Sequence, residues 1–332
     1  MSVFPHTKTS YQLSFGGKLL YLTCIFFVWF LSIWPLRLLY LLNWPLYLIL
    51  YKAVGYRKKI VRKNLTDSFP GKSEKEILQI EHRFYHWLCD QFMETIKTLS
   101  ISKKEMRERV TFHGMEHIRK LLDNNKNVAV YLGHYGNWEW VTSIGLHLPP
   151  GTVCQVYHEL ESPVMDSVML KIRESMDTTN VSMPNILRHI VRCRKENRNI
   201  VCGFISDQVP LYGSTHYWTN FLNHKETLVL TGTERLAKQC NFGCVYLDIS
   251  MPKRGRYDIR VIPMTDGTEK NIPDWEITEQ YFRLLEKSIQ RDPAIWLWSH
   301  NRWKRTVKGF EEWCSFYKVD PKERAFCYQS ME

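Results

Sequence analysis

A histidine and a glutamate five residues apart, His134 and Glu139, have the types and spacing suited to acid–base catalysis. A carboxylate bonded to one imidazole nitrogen fixes the tautomer and raises the basicity of the other nitrogen. That nitrogen can remove a proton from a hydroxyl group that attacks an acyl carbonyl. On a continuous helix the two residues would lie about 140° apart, so they meet only if the chain turns back at Gly136. The alternative is a loop histidine beside a solvated glutamate.

The residues around His134 predict the end of a buried strand. Residues 128–132 are an apolar run rich in β-branched side chains, and Gly133 closes it. Such a run is typical of a strand buried on both faces of a parallel sheet. Residues 141–147 are expected to form the following helix. In open α/β sheets, ligands bind at the carboxyl ends of the strands, so His134 lies where a site is expected.

Strands and helices alternate through the rest of the chain, which predicts an α/β fold with a mostly parallel central sheet flanked by helices. Ser73 and Glu76 match a capping box at the start of a long helix, residues 74–99. A short strand or linker is expected at 107–113 and a helix at 115–124. Further strands are expected at 152–157, 199–205, 243–249 and 257–262, and further helices at 163–176, 183–196, 226–239 and 275–290.

Two more places carry candidate binding residues. Asp207 and Gln208 follow the predicted strand 199–205, so they also emerge at a strand end; the alternative is a polar turn. Arg173 lies in a helix of mixed polarity, where a solvated charge is the alternative to a ligand-binding group.

Near the C-terminus, residues 296–305 interleave tryptophans with basic side chains that include Arg302 and Lys304. Arginine beside tryptophan suits phosphate contact with cation–π support. The same composition suits single-stranded nucleic acid, whose bases stack on aromatic rings. A third interpretation is structural, with the tryptophans covering the core and the charges pointing outward.

The N-terminal region predicts a membrane-anchoring helix. Residues 19–36 contain no charged side chain, and a helix of that length, about 27 Å, just spans the hydrocarbon core. Residues 52–63 contain six basic and no acidic side chains, a pattern that marks the cytoplasmic side and favours anionic lipid. There are two alternatives: a helix that lies in the membrane interface, and a buried helical hairpin in a soluble protein.

The composition of the chain limits which partners and cofactors it can have. The 332-residue chain carries a net charge of +11, which favours an anionic partner such as nucleic acid, an acidic protein or anionic lipid. Its nine cysteines are scattered without metal-ligand spacing, so we expect reduced thiols and no metal or other cofactor. We divide the chain into an anchor with its basic flank, 1–64, and one catalytic domain, 65–332.

The motifs taken in order resemble the lysophospholipid acyltransferase superfamily, and within it the late acyltransferases of lipid A biosynthesis. The resemblance runs from about Leu20 to Lys304. The stretches that carry it are Arg62-Lys-Asn-Leu65, Phe69-Pro-Gly-Lys-Ser-Glu-Lys-Glu76, Gly133-His-Tyr-Gly-Asn-Trp-Glu139, Asp207-Gln208, Thr231-Gly-Thr-Glu-Arg-Leu-Ala237, Trp296-Leu-Trp-Ser-His300 and Arg302-Trp303-Lys304.

The resemblance implies a glycerol-phosphate-acyltransferase-like fold that transfers an acyl chain from an acyl carrier protein thioester to a hydroxyl of a phosphorylated glycolipid, the lipid A precursor. It implies that His134 is the general base and that Glu139 orients it. Arg173 and Asp207 match a further arginine and aspartate important in that family. It also implies the bacterial inner membrane, with the catalytic domain on the cytoplasmic face and no nucleic-acid partner.

Other functions compete with this expectation. A hydrolase needs a nucleophile, and the sequence has no G-x-S-x-G elbow. A non-catalytic basic protein that binds membranes or nucleic acid would explain the charge but leaves His134 and Glu139 without a role. Within acyltransferases, the aromatic motif around His134 and the loop 211–220 differ from the best-known lipid A enzymes. A lysophospholipid or an aminolipid is therefore the alternative acceptor.

Overall fold

The computed structural model describes residues 13–265 and 271–321 of the chain. In that part, seven strands form one sheet in the order β1-β9-β8-β2-β5-β3-β4, and a separate hairpin pairs β6 with β7. Within the sheet, only β8 and β9 pair antiparallel, so the predicted mostly parallel sheet is confirmed. The strands are β1 Val110–His113, β2 Asn127–Leu132, β3 Val153–Tyr157, β4 Thr179–Ser182, β5 Val201–Ile205, β6 Trp218–Phe221, β7 His224–Leu228, β8 Phe242–Lys253 and β9 Arg256–Pro263.

Helices cover both faces of the sheet and form the N-terminal region. The α-helices are α1 Phe15–Ser32, α2 Leu36–Leu39, α3 Asn43–Tyr47, α4 Lys58–Ser68, α5 Glu74–Lys97, α6 Lys103–Arg109, α7 Met115–Asp123, α8 Pro163–Arg173, α9 Ile186–Lys195, α10 Gly232–Cys240, α11 Glu276–Arg291 and α12 Val307–Tyr317. The predicted capping box of α5 is confirmed, because the Ser73 backbone N–H donates to Glu76 Oε2 at 2.8 Å.

The structure differs from the predicted elements in several places, and the β6–β7 hairpin and helices α6 and α12 were not predicted. The predicted helix 226–239 begins too early, because its first residues belong to β7 and the helix starts at Gly232. The four-residue edge strand β4 was not predicted. Residues 140–147 form a 3-10 helix, not an α-helix. There the Thr142 and Ser143 hydroxyls donate to carbonyls three residues earlier and compete with the α-helical pattern.

Strand β2 is buried on both faces, as predicted. On one side, Gly243 of β8 lies so close to α7 that a Cβ there would come within 2.5 Å of Leu121. On the other side, Tyr281 of α11 contacts the ring of Tyr131 and donates its hydroxyl to the Leu132 carbonyl at 2.9 Å. The end of β2 is therefore held rigidly between two helical layers.

Helix α1 is apolar; Ser32 is its one buried residue, and the others are exposed or half-buried. By length and composition it can cross a membrane. The buried Lys97 ammonium donates to the carbonyls of Ser32 and Trp34 at 2.9 and 3.1 Å, which places a cation at the C-terminal end of α1. Helix α4 runs across the predicted domain boundary at residue 64, and that division stays a prediction.

One pair of cysteines lies side by side in the sheet. Cys154 of β3 and Cys202 of β5 lie directly opposite each other in the parallel register, with their sulfur atoms in contact. The reduced state of the thiols stays a prediction. Sequence spacing could not reveal this pair, because the two strands become neighbours only in the folded sheet. Cys24, Cys89, Cys193 and Cys240 are free thiols.

Candidate active site

Adjacent strands bring His134 and Asp207 together at the carboxyl edge of the sheet. Leu132 of β2 pairs with Ile205 of β5, and each site residue lies two positions beyond its strand's last residue. The imidazole Nδ1 is 2.7 Å from Asp207 Oδ1, and the His134 backbone N–H donates to Asp207 Oδ2 at 2.8 Å. The carboxylate thus fixes both the ring and the backbone of His134.

This arrangement corrects the predicted pairing of His134 with Glu139. Both oxygens of Glu139 are bonded to Arg173, whose Nε and Nη2 donate at 2.8 and 2.6 Å. Asp207, 73 residues away in the sequence, occupies the imidazole nitrogen instead. Glu139 still lies close enough to His134 for their charges to interact. The structure thus brings together four of the predicted site residues, but in two different pairs.

Asp207 is a buried anion with three hydrogen-bond donors. Besides the two bonds from His134, the Trp296 indole donates to Oδ2 at 2.8 Å. Burial alone would raise the pKa of Asp207, but its interactions with His134 and Trp296 outweigh burial and lower the pKa to about 2. Because the anion requires a donor, Nδ1 carries the proton of the neutral ring and Nε2 is left as a base.

The chain around His134 is held by the segment that carries Trp296. The Gly136 backbone N–H donates to the Ile295 carbonyl at 2.9 Å, and the Leu297 N–H donates to the His134 carbonyl at 3.0 Å. Gly136 has a φ of +59°, and a Cβ there would come within 2.5 Å of Ile249. Glycine is therefore required at this turn. Trp296 was not predicted to orient the site, although its motif stands out in the sequence.

Gln208 lies within hydrogen-bond distance of the second imidazole nitrogen, Nε2. Its Nε2 atom lies 3.4 Å from His134 Nε2, and its side chain is half-buried. Trp138 packs edge-on against the same imidazole, with 5.1 Å between the ring centroids. A substrate oxygen that reaches Nε2 would therefore lie beside an amide donor and an aromatic wall.

The predicted binding residues near the C-terminus have very different environments. Arg302 is buried: its Nη2 donates to the Leu228 carbonyl at 2.8 Å, and its Nε and Nη1 have no partner among the described residues. Burial lowers the pKa of Arg302 to about 10, although the Asp207 charge acts in the opposite direction. Lys304, in contrast, is exposed. Trp296 and Trp298 belong to the core, as the structural interpretation of this stretch expected.

One buried and two half-buried histidines predict a loss of stability in mild acid. Burial lowers the pKa of His189, His224 and His300 to about 4 each. Because the unfolded chain binds these protons more readily, stability is lost as pH falls from about 6.5 to about 4. His224 stacks on Trp303, with 3.7 Å between the ring centroids.

We therefore expect His224→Phe to flatten the pH dependence of the free energy of unfolding, by on the order of 1 kcal/mol between pH 7 and pH 5. Urea unfolding of the wild type and the variant at both pH values measures this difference. Equal slopes for the two proteins would show that His224 does not titrate in this range.

The Glu139–Arg173 ion pair predicts a second stability effect. The Glu139 side chain is 7% exposed and that of Arg173 is 21% exposed. Glu139→Ala leaves a largely buried guanidinium unpaired, which we expect to lower the free energy of unfolding by about 3 kcal/mol. The double variant Glu139→Met/Arg173→Met buries no lone charge, so we expect a smaller loss than for Glu139→Ala. Chemical denaturation tests this, and a larger loss in the double variant would contradict the interpretation.

Comparison with known proteins shows the family of this chain. Residues 7–305 match the family model of the bacterial lipid A biosynthesis acyltransferases. The lipid A biosynthesis lauroyltransferase of Escherichia coli (strain K12) is 21% identical over 291 residues, which covers 85% of this chain and 90% of that protein. The lipid A biosynthesis palmitoleoyltransferase of the same strain is 24% identical over 256 residues, with 76% and 80% covered. The match spans nearly the whole chain, and this protein therefore belongs to the bacterial lipid A biosynthesis acyltransferase family.

Proposed function

We propose that this acyltransferase moves a fatty acyl chain from acyl carrier protein to a hydroxyl of a lipid A precursor, on the cytoplasmic face of the bacterial inner membrane. The observation that carries the proposal is the imidazole of His134, whose Nδ1 is bonded to the Asp207 anion and whose Nε2 lies beside Gln208. The parallel sheet flanked by helices is consistent with a glycerol-phosphate-acyltransferase-like fold.

In the proposed reaction, His134 Nε2 removes the proton from the acceptor hydroxyl as its oxygen attacks the thioester carbonyl. The new carbon–oxygen bond forms, and the carbonyl oxygen takes on negative charge. The Gln208 amide, 3.4 Å from Nε2, supplies a hydrogen bond to that oxygen. When the carbon–sulfur bond breaks, the leaving thiolate takes the proton back from the imidazolium.

The surrounding carboxylates stabilise the imidazolium that forms during the reaction. Asp207 is in direct contact with the ring, and the charge of Glu139 also interacts with it. Glu139 is itself held in place by the two hydrogen bonds from Arg173. In this proposal Arg173 is therefore a positioning residue, which acts through Glu139 and the turn that carries it.

The charge and the apolar helix support the proposed substrates and location. A net charge of +11 suits both an acidic carrier protein and a phosphorylated glycolipid. The exposed Lys304 is available for contact with the acceptor's phosphate. Helix α1, apolar and mostly exposed, would keep the domain at the bilayer in which the acceptor resides.

A transfer assay with matched donors tests this proposal. Membranes that contain the protein are given a lipid A precursor without secondary acyl chains and either acyl carrier protein or coenzyme A, each loaded with the same acyl chain. We expect one new ester on the precursor, formed from the carrier-protein donor, in the mass spectrum of the product. Transfer to an added lysophospholipid instead would overturn the acceptor, and preference for the coenzyme A donor would overturn the carrier.

A further inference from the structure

A buried carboxylate outside the catalytic pairs, Glu94 of α5, is bonded to the turn between His134 and Glu139. Glu94 is fully buried. Its Oε2 accepts from Asn137 Nδ2 at 2.6 Å. Two tyrosine hydroxyls complete its shell: Tyr40 donates to Oε1 at 2.6 Å and Tyr257 donates to Oε2 at 2.7 Å. Three separate parts of the chain thus converge on one carboxylate.

Both polar atoms of the Asn137 side-chain amide, Nδ2 and Oδ1, are hydrogen-bonded. While Nδ2 donates to Glu94, its Oδ1 accepts from the Trp140 backbone N–H at 2.9 Å and from Gln91 Nε2 at 3.2 Å. Trp140 is held by the same part of α5, because its indole donates to the Glu94 carbonyl at 3.2 Å. The backbone that leads from His134 to Glu139 is therefore attached to α5 through this amide.

We propose that Glu94 is a positioning residue for acyl transfer, because its carboxylate fixes, through Asn137, the turn that carries His134 and Glu139. The expected effect of Glu94 on turnover rests on the proposed function. The structural part of the inference, the attachment of the turn to α5, does not depend on which substrates are used.

The surroundings of Glu94 make it sensitive to an added negative charge. Burial raises its pKa to about 7, and the hydrogen bonds from Tyr40, Tyr257 and Asn137 act against that rise. Asp90, one turn earlier on α5, adds a repulsive negative charge, but it is paired with Arg254, whose Nε donates to it at 2.7 Å. A second carboxylate placed directly against Glu94 would therefore share a proton with it or be repelled.

Asn137→Asp makes this change without altering the size of the side chain. The variant keeps an oxygen for Trp140 and Gln91 but turns a carboxylate toward Glu94. At pH 8 we expect kcat to fall about 30- to 100-fold, because small displacements of catalytic groups have effects of that order. At pH 6 the two carboxyl groups share a proton and bond to each other, so we expect most of the loss to be recovered.

The double variant Glu94→Gln/Asn137→Asp exchanges donor and acceptor across the same contact. The two amide hydrogens introduced at position 94 can donate to the carboxylate introduced at position 137 and to the Tyr257 oxygen, while the new amide oxygen accepts from Tyr40. We expect this pair to restore kcat at pH 8 to within about 5-fold of the wild type, since one buried charge-assisted hydrogen bond replaces another. Asn124 is exposed, and the variant Asn124→Asp serves as the matched control for an exchange of asparagine for aspartate.

Amide hydrogen exchange of the peptide covering residues 133–140 supplies a readout that needs no substrate. We expect faster exchange in Asn137→Asp at pH 8 and near wild-type exchange in the double variant, with rates corrected for pH. If exchange follows this pattern but the wild type transfers no acyl chain, the positioning stands and the proposed function fails. Equal kcat and equal exchange in Asn137→Asp and the wild type, or a double variant no better than the single one, would overturn the inference.

Discussion

Replacing His134 with alanine is expected to lower kcat about 10³-fold and to leave the fold intact. General-base catalysis by a positioned imidazole contributes roughly 10²- to 10⁴-fold, and the Asp207 contact shows that this ring is held in one orientation. The side chain is 16% exposed and lies at the edge of the sheet, so we expect the variant to fold. Turnover of a lipid A precursor under saturating substrates measures the effect.

His158→Ala is the matched control for that experiment. His158 is an exposed histidine that follows β3, and its ring is bonded only to the neighbouring Glu159 carbonyl among the contacts described. We expect wild-type kcat for this variant. If His134→Ala retained more than about a tenth of wild-type kcat in a folded protein, the imidazole would not be the base.

Asp207→Asn is expected to have a comparable effect through the tautomer of His134. The asparagine oxygen must occupy the Oδ2 position, where the Trp296 indole and the His134 backbone N–H both donate. Its NH₂ group then faces Nδ1 and donates to it, so the ring proton moves to Nε2. Without a lone pair at Nε2 the base is lost, and we expect kcat to fall about 10³- to 10⁴-fold with a much smaller change in KM.

Trp296→Phe distinguishes two causes of a lower kcat: a change in the tautomer of His134 and a general loosening of the site. That variant removes one donor to Asp207 and leaves the carboxylate on Nδ1, so we expect a loss of about 10-fold or less. Both variants can be compared for thermal stability to confirm that they fold. A loss in Trp296→Phe as large as that in Asp207→Asn would mean that packing, not the tautomer, controls the rate.

The elements of the sheet were predictable where the sequence carries a strong local pattern. The apolar run that became β2 and the capping box of α5 both specify their structure within a few residues. Edge strand β4 and the β6–β7 hairpin carry no such pattern, because their strands are only four or five residues long and mix polar with apolar side chains. Their conformation depends on the strands beside them.

The site shows the same division between local and tertiary information. The sequence was enough to identify four residues of the site: His134, Glu139, Arg173 and Asp207. It predicted that His134 pairs with Glu139, the carboxylate that is nearer along the chain. The actual pairing follows from the register of β2 against β5, which carries His134 and Asp207 to equal heights at the sheet edge. Glu94 could not be predicted at all, since a glutamate within a long helix normally points to solvent.

The measurement that tests the central claim most directly is mass spectrometry of lipid A from three strains. One strain lacks this protein, one carries the wild type and one carries His134→Ala at the same level in its membranes. We predict that lipid A from the first and third strains lacks one acyl chain that the wild type adds. Fully acylated lipid A in the strain with His134→Ala would contradict the assignment of His134 as the catalytic base. Unchanged lipid A in all three strains would contradict the proposed acceptor.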